Sequence, residues 1–196
     1  MKKRKDKVKK KLILGIIFIC IGIISIITKN IMIKKETKYQ KELLNIFYQN
    51  KEMIEEKTIN KEIKKVDQYI AILKIPIINL EKGLFNIESP NNNINKNIQI
   101  LKESEMPNIE NSNLILASHN GNTISSHFNE IHKLKNNDKV IIIYKEIEYQ
   151  YKVVNSYVVE KTGEIEIIRD INKNTLTLIS CYVNNKQLII ICELEK

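Results

Sequence analysis

The stretch Val140-Ile-Ile-Ile-Tyr-Lys-Glu-Ile-Glu-Tyr-Gln-Tyr-Lys-Val-Val-Asn-Ser-Tyr-Val-Val159 decides the kind of fold. It is dense in Ile, Val and Tyr, side chains that suit a pleated, half-buried surface. Tyr149, Tyr151, Val153 and Tyr157 fall on one side of a period-two alternation. A turn near Lys145-Glu146 makes the whole stretch a hairpin. Working outward, similar short apolar runs occur at Ile70–Ile75, Ile98–Leu101, Leu114–Ala117, Ile165–Ile168, Thr175–Cys181 and Leu188–Cys192, separated by Asn-rich or charged turns. Phe128, Ile131 and Leu134 recur at intervals of three, which predicts one short helix over Ser125 to Lys135. About eight strands in such a length imply a mostly-β domain, a barrel or a sandwich. No Gly-rich phosphate loop and no internal repeat is present.

Ahead of this domain the texture differs. Residues 1–11 hold eight basic side chains against Asp6, and the remaining residues are nearly neutral although the whole chain carries a net charge of +9. A nucleic-acid binder is expected to carry its basic face on the folded domain, so the charge distribution argues against that function class and no nucleic-acid partner is expected. Leu12 to Ile27 contains no charge. As a helix it would span about 24 Å, and lysines snorkelling at both ends extend it to the thickness of a bilayer core. No Ala-x-Ala-like cleavage site follows, so an uncleaved anchor over 12–28 is expected, with the basic tail 1–11 in the cytoplasm and the rest outside. Residues 29–68 read as a helical stalk, with Leu43, Phe47, Ile54, Ile59, Ile63, Val66 and Ile70 along one stripe. The globular domain is then 69–196.

Two positions could carry chemistry. His119 lies just past the run Leu-Ile-Leu-Ala-Ser, and Cys181 ends the run Thr-Leu-Thr-Leu-Ile-Ser. A strand end holds a side chain rigidly and still exposes it to solvent. A free thiol is only a few per cent thiolate at neutral pH. An imidazole beside it can take its proton and return one to a leaving amine. Cys181 and Cys192 could instead pair, though two separate reduced thiols are the simpler reading, and Cys192 alternates with Leu188 and Ile190 as a small buried hydrophobe. His127 and His132 flank the short helix and read as packing or surface residues. No Cys/His cluster has zinc-ligand spacing, and Glu103, Glu105 and Glu110 are too loosely placed for a calcium site; no metal and no cofactor is expected.

The segments Tyr69-Ile-Ala-Ile-Leu-Lys-Ile-Pro76, Asn113-Leu-Ile-Leu-Ala-Ser-His-Asn-Gly121, Lys133-Leu-Lys-Asn-Asn-Asp-Lys-Val140 and Thr175-Leu-Thr-Leu-Ile-Ser-Cys181 stand in the order found in sortases. The chain resembles these membrane-anchored cysteine transpeptidases over roughly residues 69–194. The resemblance implies a closed eight-stranded β-barrel with the active site at strand ends. It implies Cys181 as the nucleophile on the Thr–Gly carbonyl of a Leu-Pro-x-Thr-Gly-like sorting signal, and His119 as general acid/base. The partners implied are secreted proteins with C-terminal sorting signals, an amine acceptor on a peptidoglycan precursor or a protein, and the membrane.

One departure stands out. Sortases usually place an Arg at the start of the strand after the Cys, where this chain has Asn185-Lys186-Gln187-Leu188. Gln187 falls at that position; Lys186 or Arg169 could supply the charge instead. A neutral amide bond is about half as strong as a charge-assisted one. Two alternatives to the transpeptidase therefore stay open, a hydrolytic Cys–His peptidase and an impaired, membrane-tethered peptide-binding domain.

Overall fold

The computed structural model describes residues 2–53, 68–121 and 123–195. Its contacts divide the chain into two compact units, Met1–Glu42 and Leu43–Lys196. Helix α1 runs over Lys2–Met53, and the side chains from Ile13 to Ile27 are all exposed. This apolar segment is long enough to cross a membrane. The stripe expected along the stalk is divided. Leu43 and Phe47 pack with Tyr69 and Phe85, whereas Ile70 belongs to a strand. Ile54, Ile59, Ile63 and Val66 lie outside the described residues.

Eight strands follow: β1 (Tyr69–Ile75), β2 (Leu80–Phe85), β3 (Gln99–Ile100), β4 (Asn113–Ser118), β5 (Lys139–Tyr144), β6 (Ile147–Glu160), β7 (Thr175–Tyr182) and β8 (Lys186–Leu194). They form one sheet in the order β2-β1-β5-β6-β8-β7-β4-β3. Only β4 and β7 pair in parallel; the other neighbours are antiparallel. The sheet curls into a nearly closed barrel. Its two edges are bridged by the buried side chain of Asn97, whose amide donates to the Gly83 carbonyl at 2.8 Å. Inside the barrel Ala71, Leu73, Leu84, Leu114, Leu116, Val140, Ile142, Tyr151, Leu176, Leu178 and Ile190 form one continuous core.

Several sequence expectations are corrected here. The hairpin turn does fall at Lys145-Glu146, both at positive φ, so β5 and β6 are joined by the tight turn the sequence implied. The four residues assigned to one face of β6 do not stay together. Val153 pairs with Cys192 but Asn155 pairs with Ile191, so Val154 is an extra residue bulged out of the ladder. A bulge shifts the alternation by one. Tyr151 and Val153 point into the core, while Tyr157 packs on the outer cluster of Ile115, Ala117, Ile179, Ile189 and Ile191.

Ile165–Ile168 is not a strand. Its alternation is real, with Ile165 and Ile167 packed on that outer cluster. Its polar backbone, however, is met by a side chain rather than a ladder. The Tyr157 hydroxyl donates to Glu166 O at 3.0 Å and accepts from Ile168 N–H at 2.9 Å. The eighth strand is instead β2, whose Leu-Glu-Lys-Gly-Leu-Phe sequence hides a strand behind two charges and a glycine.

The expected helix over Ser125–Lys135 is also absent. The segment is a series of turns with a single 3-10 turn at Ile131–Lys133. Phe128, Ile131 and Leu134 are all buried, and a strict spacing of three matches three residues per turn rather than 3.6. Ser and Thr upstream compete for the backbone groups a helix needs: Ser118 Oγ accepts from His127 N–H at 3.2 Å, and Ser126 Oγ accepts from Thr123 N–H at 3.3 Å.

Candidate active site

The parallel pairing of β4 with β7 runs in register from Asn113↔Thr175 to Ser118↔Ser180. His119 and Cys181 each follow the last of those pairs, on neighbouring strands whose backbones run about 5 Å apart; His119 lies just past β4, while Cys181 is still within β7. The Asn120 side-chain amide donates to the Cys181 carbonyl at 3.3 Å and joins the two strand ends. Beneath them Ser180 Oγ donates to Ser118 O at 3.2 Å inside the barrel. On its other side Cys181 pairs with Gln187 of β8, and Gln187 pairs with Val159 of β6. Cross-strand partners share a face. Cys181, Gln187 and Val159 thus form a row on the barrel's outer side, in line with Ile179 and Ile189 of the outer cluster.

Cys181 is a free thiol and partly exposed. The His119 ring is oriented by Asn95, whose Oδ1 accepts from Nε2–H at 3.1 Å. The Phe128 N–H donates to His119 O at 3.2 Å, and Asn129 Oδ1 accepts from Gly121 N–H at 2.6 Å, which anchors the chain around the imidazole. Lys161, the residue after β6, brings its Nζ to 4.0 Å from Cys181 Sγ. Asn95, Asn120 and Lys161 are absent from the sequence-based site. Asn95 sits in an Asn-rich turn and Lys161 among many lysines, so composition hid both; Asn120, adjacent to His119, was the one with a positional signal.

The two other cations weighed for the Arg position lie elsewhere. Lys186 pairs with Glu160 across the strands and forms an ion pair with it at 3.1 Å. As the neighbour of Gln187 it points to the opposite face. Arg169 donates from Nη1 to the carbonyls of Asn111, Asp170 and Lys173 at 3.2–3.3 Å, at the end of the sheet where β4 and β7 begin. Six residues of strand, about 20 Å, separate that end from Cys181.

Cys181 and Cys192 are both free thiols. Cys192 faces the core, on the opposite side of the sheet from Cys181, and burial pushes its thiol well above the ordinary range. His132 is a surface residue whose Nδ1 bonds to Asn129 O at 2.9 Å. His127 is a packing residue with a consequence for pH. Its Nε2 is buried without a partner among the described residues. Burial first, and the positive charge of Lys82 second, lower its pKa to about 4. An unfolded histidine titrates near 6.5. The folded state therefore holds the neutral ring, and this contribution is complete above pH 6.5 and is lost as pH falls towards 4. Partial exposure screens some of it, leaving about 2 kcal/mol. Urea unfolding at pH 7 and pH 4.5 should show a smaller acid-induced loss of stability in His127→Gln than in the unsubstituted protein.

Comparison with known proteins places these features in a family. A family model described as the sortase domain matches residues 73–195. Sortase A of Bacillus anthracis is 31% identical over 115 residues, covering 58% of this chain and 52% of that protein, so the match spans about half the length of that relative. Among solved structures, a Clostridium perfringens sortase D5 transpeptidase superposes with a TM-score of 0.60 at 21% identity, covering 82% of this chain and 98% of that one. A Clostridium perfringens sortase C, solved with the C-terminal cell wall sorting motif, gives 0.57 at 24% identity, covering 84% and 87%.

Proposed function

The chain belongs to the sortase family, and from that membership we propose that it is a membrane-anchored cysteine transpeptidase acting on C-terminal sorting signals. The single observation that carries the reading is the parallel ladder of β4 and β7, which ends in register at Ser118↔Ser180 so that His119 and Cys181 are the next residue along each strand. In this reading the Cys181 thiolate attacks the Thr–Gly carbonyl of a Leu-Pro-x-Thr-Gly-like segment. The carbon–sulfur bond forms and the carbonyl electron pair moves onto oxygen. Collapse of that intermediate breaks the carbon–nitrogen bond, and His119 gives its proton to the departing amine. An amine on a peptidoglycan precursor or a protein then attacks the thioester carbonyl and passes its proton to His119; the carbon–sulfur bond breaks and the Cys181 thiolate is restored. The sortase C structure solved with a C-terminal cell wall sorting motif supports a peptide of this kind as substrate. The apolar segment of α1 serves as the anchor, with residues 1–11 in the cytoplasm, 12–28 in the membrane, 29–68 as the stalk and 69–196 outside.

The test is intact-mass spectrometry of the full chain in non-ionic detergent after incubation with a panel of Leu-Pro-x-Thr-Gly-like peptides. A thioester adduct on Cys181 is expected, released by added amines as transfer product. Release by water alone, with no transfer to glycine-based or lipid-linked amines, would favour the hydrolytic peptidase. No adduct from any peptide would leave only a tethered binding domain. Gln187 sits where it can donate to a substrate carbonyl or the developing oxyanion. Gln187→Ala should lower kcat/KM about tenfold or more, whereas Lys186→Ala and Arg169→Ala should leave it within about twofold.

A further inference from the structure

Gln187, the cross-strand partner of Cys181, is neutral, yet the thiol is not without a positive charge. Lys161 Nζ lies 4.0 Å from Cys181 Sγ and is the one charged group in contact with that sulfur among the described residues. Lys161 reaches it from the strand on the far side of β8. Its backbone N–H donates to Asn185 O at 3.3 Å, which ties its main chain to the turn joining β7 and β8. Among the described residues no carboxylate pairs with its ammonium, because the adjacent Glu160 is taken by Lys186. Lys186 and Arg169 are held on the other face and at the other end of the sheet.

We propose that Lys161 is the cation of this active site, stabilising the Cys181 thiolate and then the oxyanion that forms on attack. The proposal rests on the transpeptidase reading for its second half. An ammonium beside a sulfur favours the anionic nucleophile. When the sulfur bonds to the carbonyl carbon, the new oxyanion lies one bond further on, within the sweep of a four-carbon stem bearing three rotatable donors. Lys161 stays an ammonium throughout; the proton of the leaving amine comes from His119. Gln187 then positions the substrate carbonyl with a neutral bond, and the charge comes from a different strand.

The experiment compares two alkylating reagents of the same chemistry and different charge on the full chain in non-ionic detergent, with Cys181 followed by peptide mass mapping. A cation at the thiol accelerates anionic iodoacetate relative to neutral iodoacetamide. Lys161→Gln should lower that rate ratio about fivefold, the effect of one charge about 4 Å away in water, and Lys161→Arg should keep it within about twofold. In the peptide assay Lys161→Gln should lose about tenfold or more in kcat/KM, with substantial recovery in Lys161→Arg. An unchanged reagent ratio in Lys161→Gln, or an equal fall in Lys186→Gln, overturns the assignment. A lowered ratio with undiminished acylation overturns the oxyanion role. Should the unsubstituted chain acylate with no peptide, the transpeptidase reading fails while the reagent ratio still decides whether Lys161 charges the thiol.

Discussion

Cys181→Ala is expected to reduce peptide turnover by at least about 10⁴-fold and to eliminate the acyl adduct, while the chain keeps its fold. Removing a nucleophile deletes the covalent route itself, and what remains is only the help given by binding and by fixed dipoles. The fold should survive because this thiol is on the outer side of the sheet, partly exposed, and contributes to neither apolar cluster. His119→Ala should lose about 10²–10⁴-fold, the range of a single acid/base group. The double variant Cys181→Ala/His119→Ala should be no worse than Cys181→Ala alone, since an imidazole has nothing to act on without the thiol. Kinetics with a fluorescent sorting-signal peptide, beside circular dichroism, would check all three. A Cys181→Ala protein retaining a tenth of its turnover would end the nucleophile assignment.

The largest effect on stability is expected at Gly83. A Cβ built there overlaps the ring atoms Cδ2, Cε2 and Cγ of Tyr69. The ring cannot easily retreat. It lies tilted against Phe85 at 4.7 Å between centroids, and Leu43 of α1 closes the same cluster. The strand cannot easily shift either, because the Gly83 carbonyl accepts the Asn97 bond that bridges the barrel edges. Gly83→Ala should therefore destabilise by about 3 kcal/mol, at the upper end of overpacking. For a chain of this size that is about 6–12 °C in Tm. Tyr69→Ala also loses buried area, yet the pair Gly83→Ala/Tyr69→Ala should be clearly less damaging than the sum of the two, since the clash needs both partners. Thermal unfolding of the four proteins gives the coupling directly. Additive losses would mean that the ring does not lie across the glycine.

Most of the fold was legible because strands announce themselves locally. Seven of the eight runs expected from apolar alternation have both ends within two residues of an observed strand, and the β5–β6 hairpin turns where Lys145-Glu146 implied. Ile165–Ile168 misled because an alternating segment packs an apolar face whether or not a partner strand is present. β2 was missed for the opposite reason: Glu81 and Lys82 sit where apolar residues were sought, yet hydrogen bonding to β1 makes the strand. Of the candidate site, the positions of His119 just past β4 and of Cys181 near the end of β7 were readable from the apolar runs that precede them. Asn95 was not, because nothing local ties a residue in an Asn-rich turn to a ring 24 positions away.

From its residues alone this chain specifies a basic tail, an apolar span, an alternating β domain, and a His and a Cys each ending a strand. These are properties of composition and of period along a single segment, and they survive whatever the segments do to one another. Which face each strand presents is decided only in the assembled barrel. One bulged residue at Val154 reverses the sense of everything after it, sending Tyr157 and Val159 outward beside Gln187 and Cys181. Register between strands also determines that Lys161, and neither Lys186 nor Arg169, brings its charge to the sulfur. Side-chain period is two residues, so a shift of one changes the outcome completely, and that shift is set by long-range pairing.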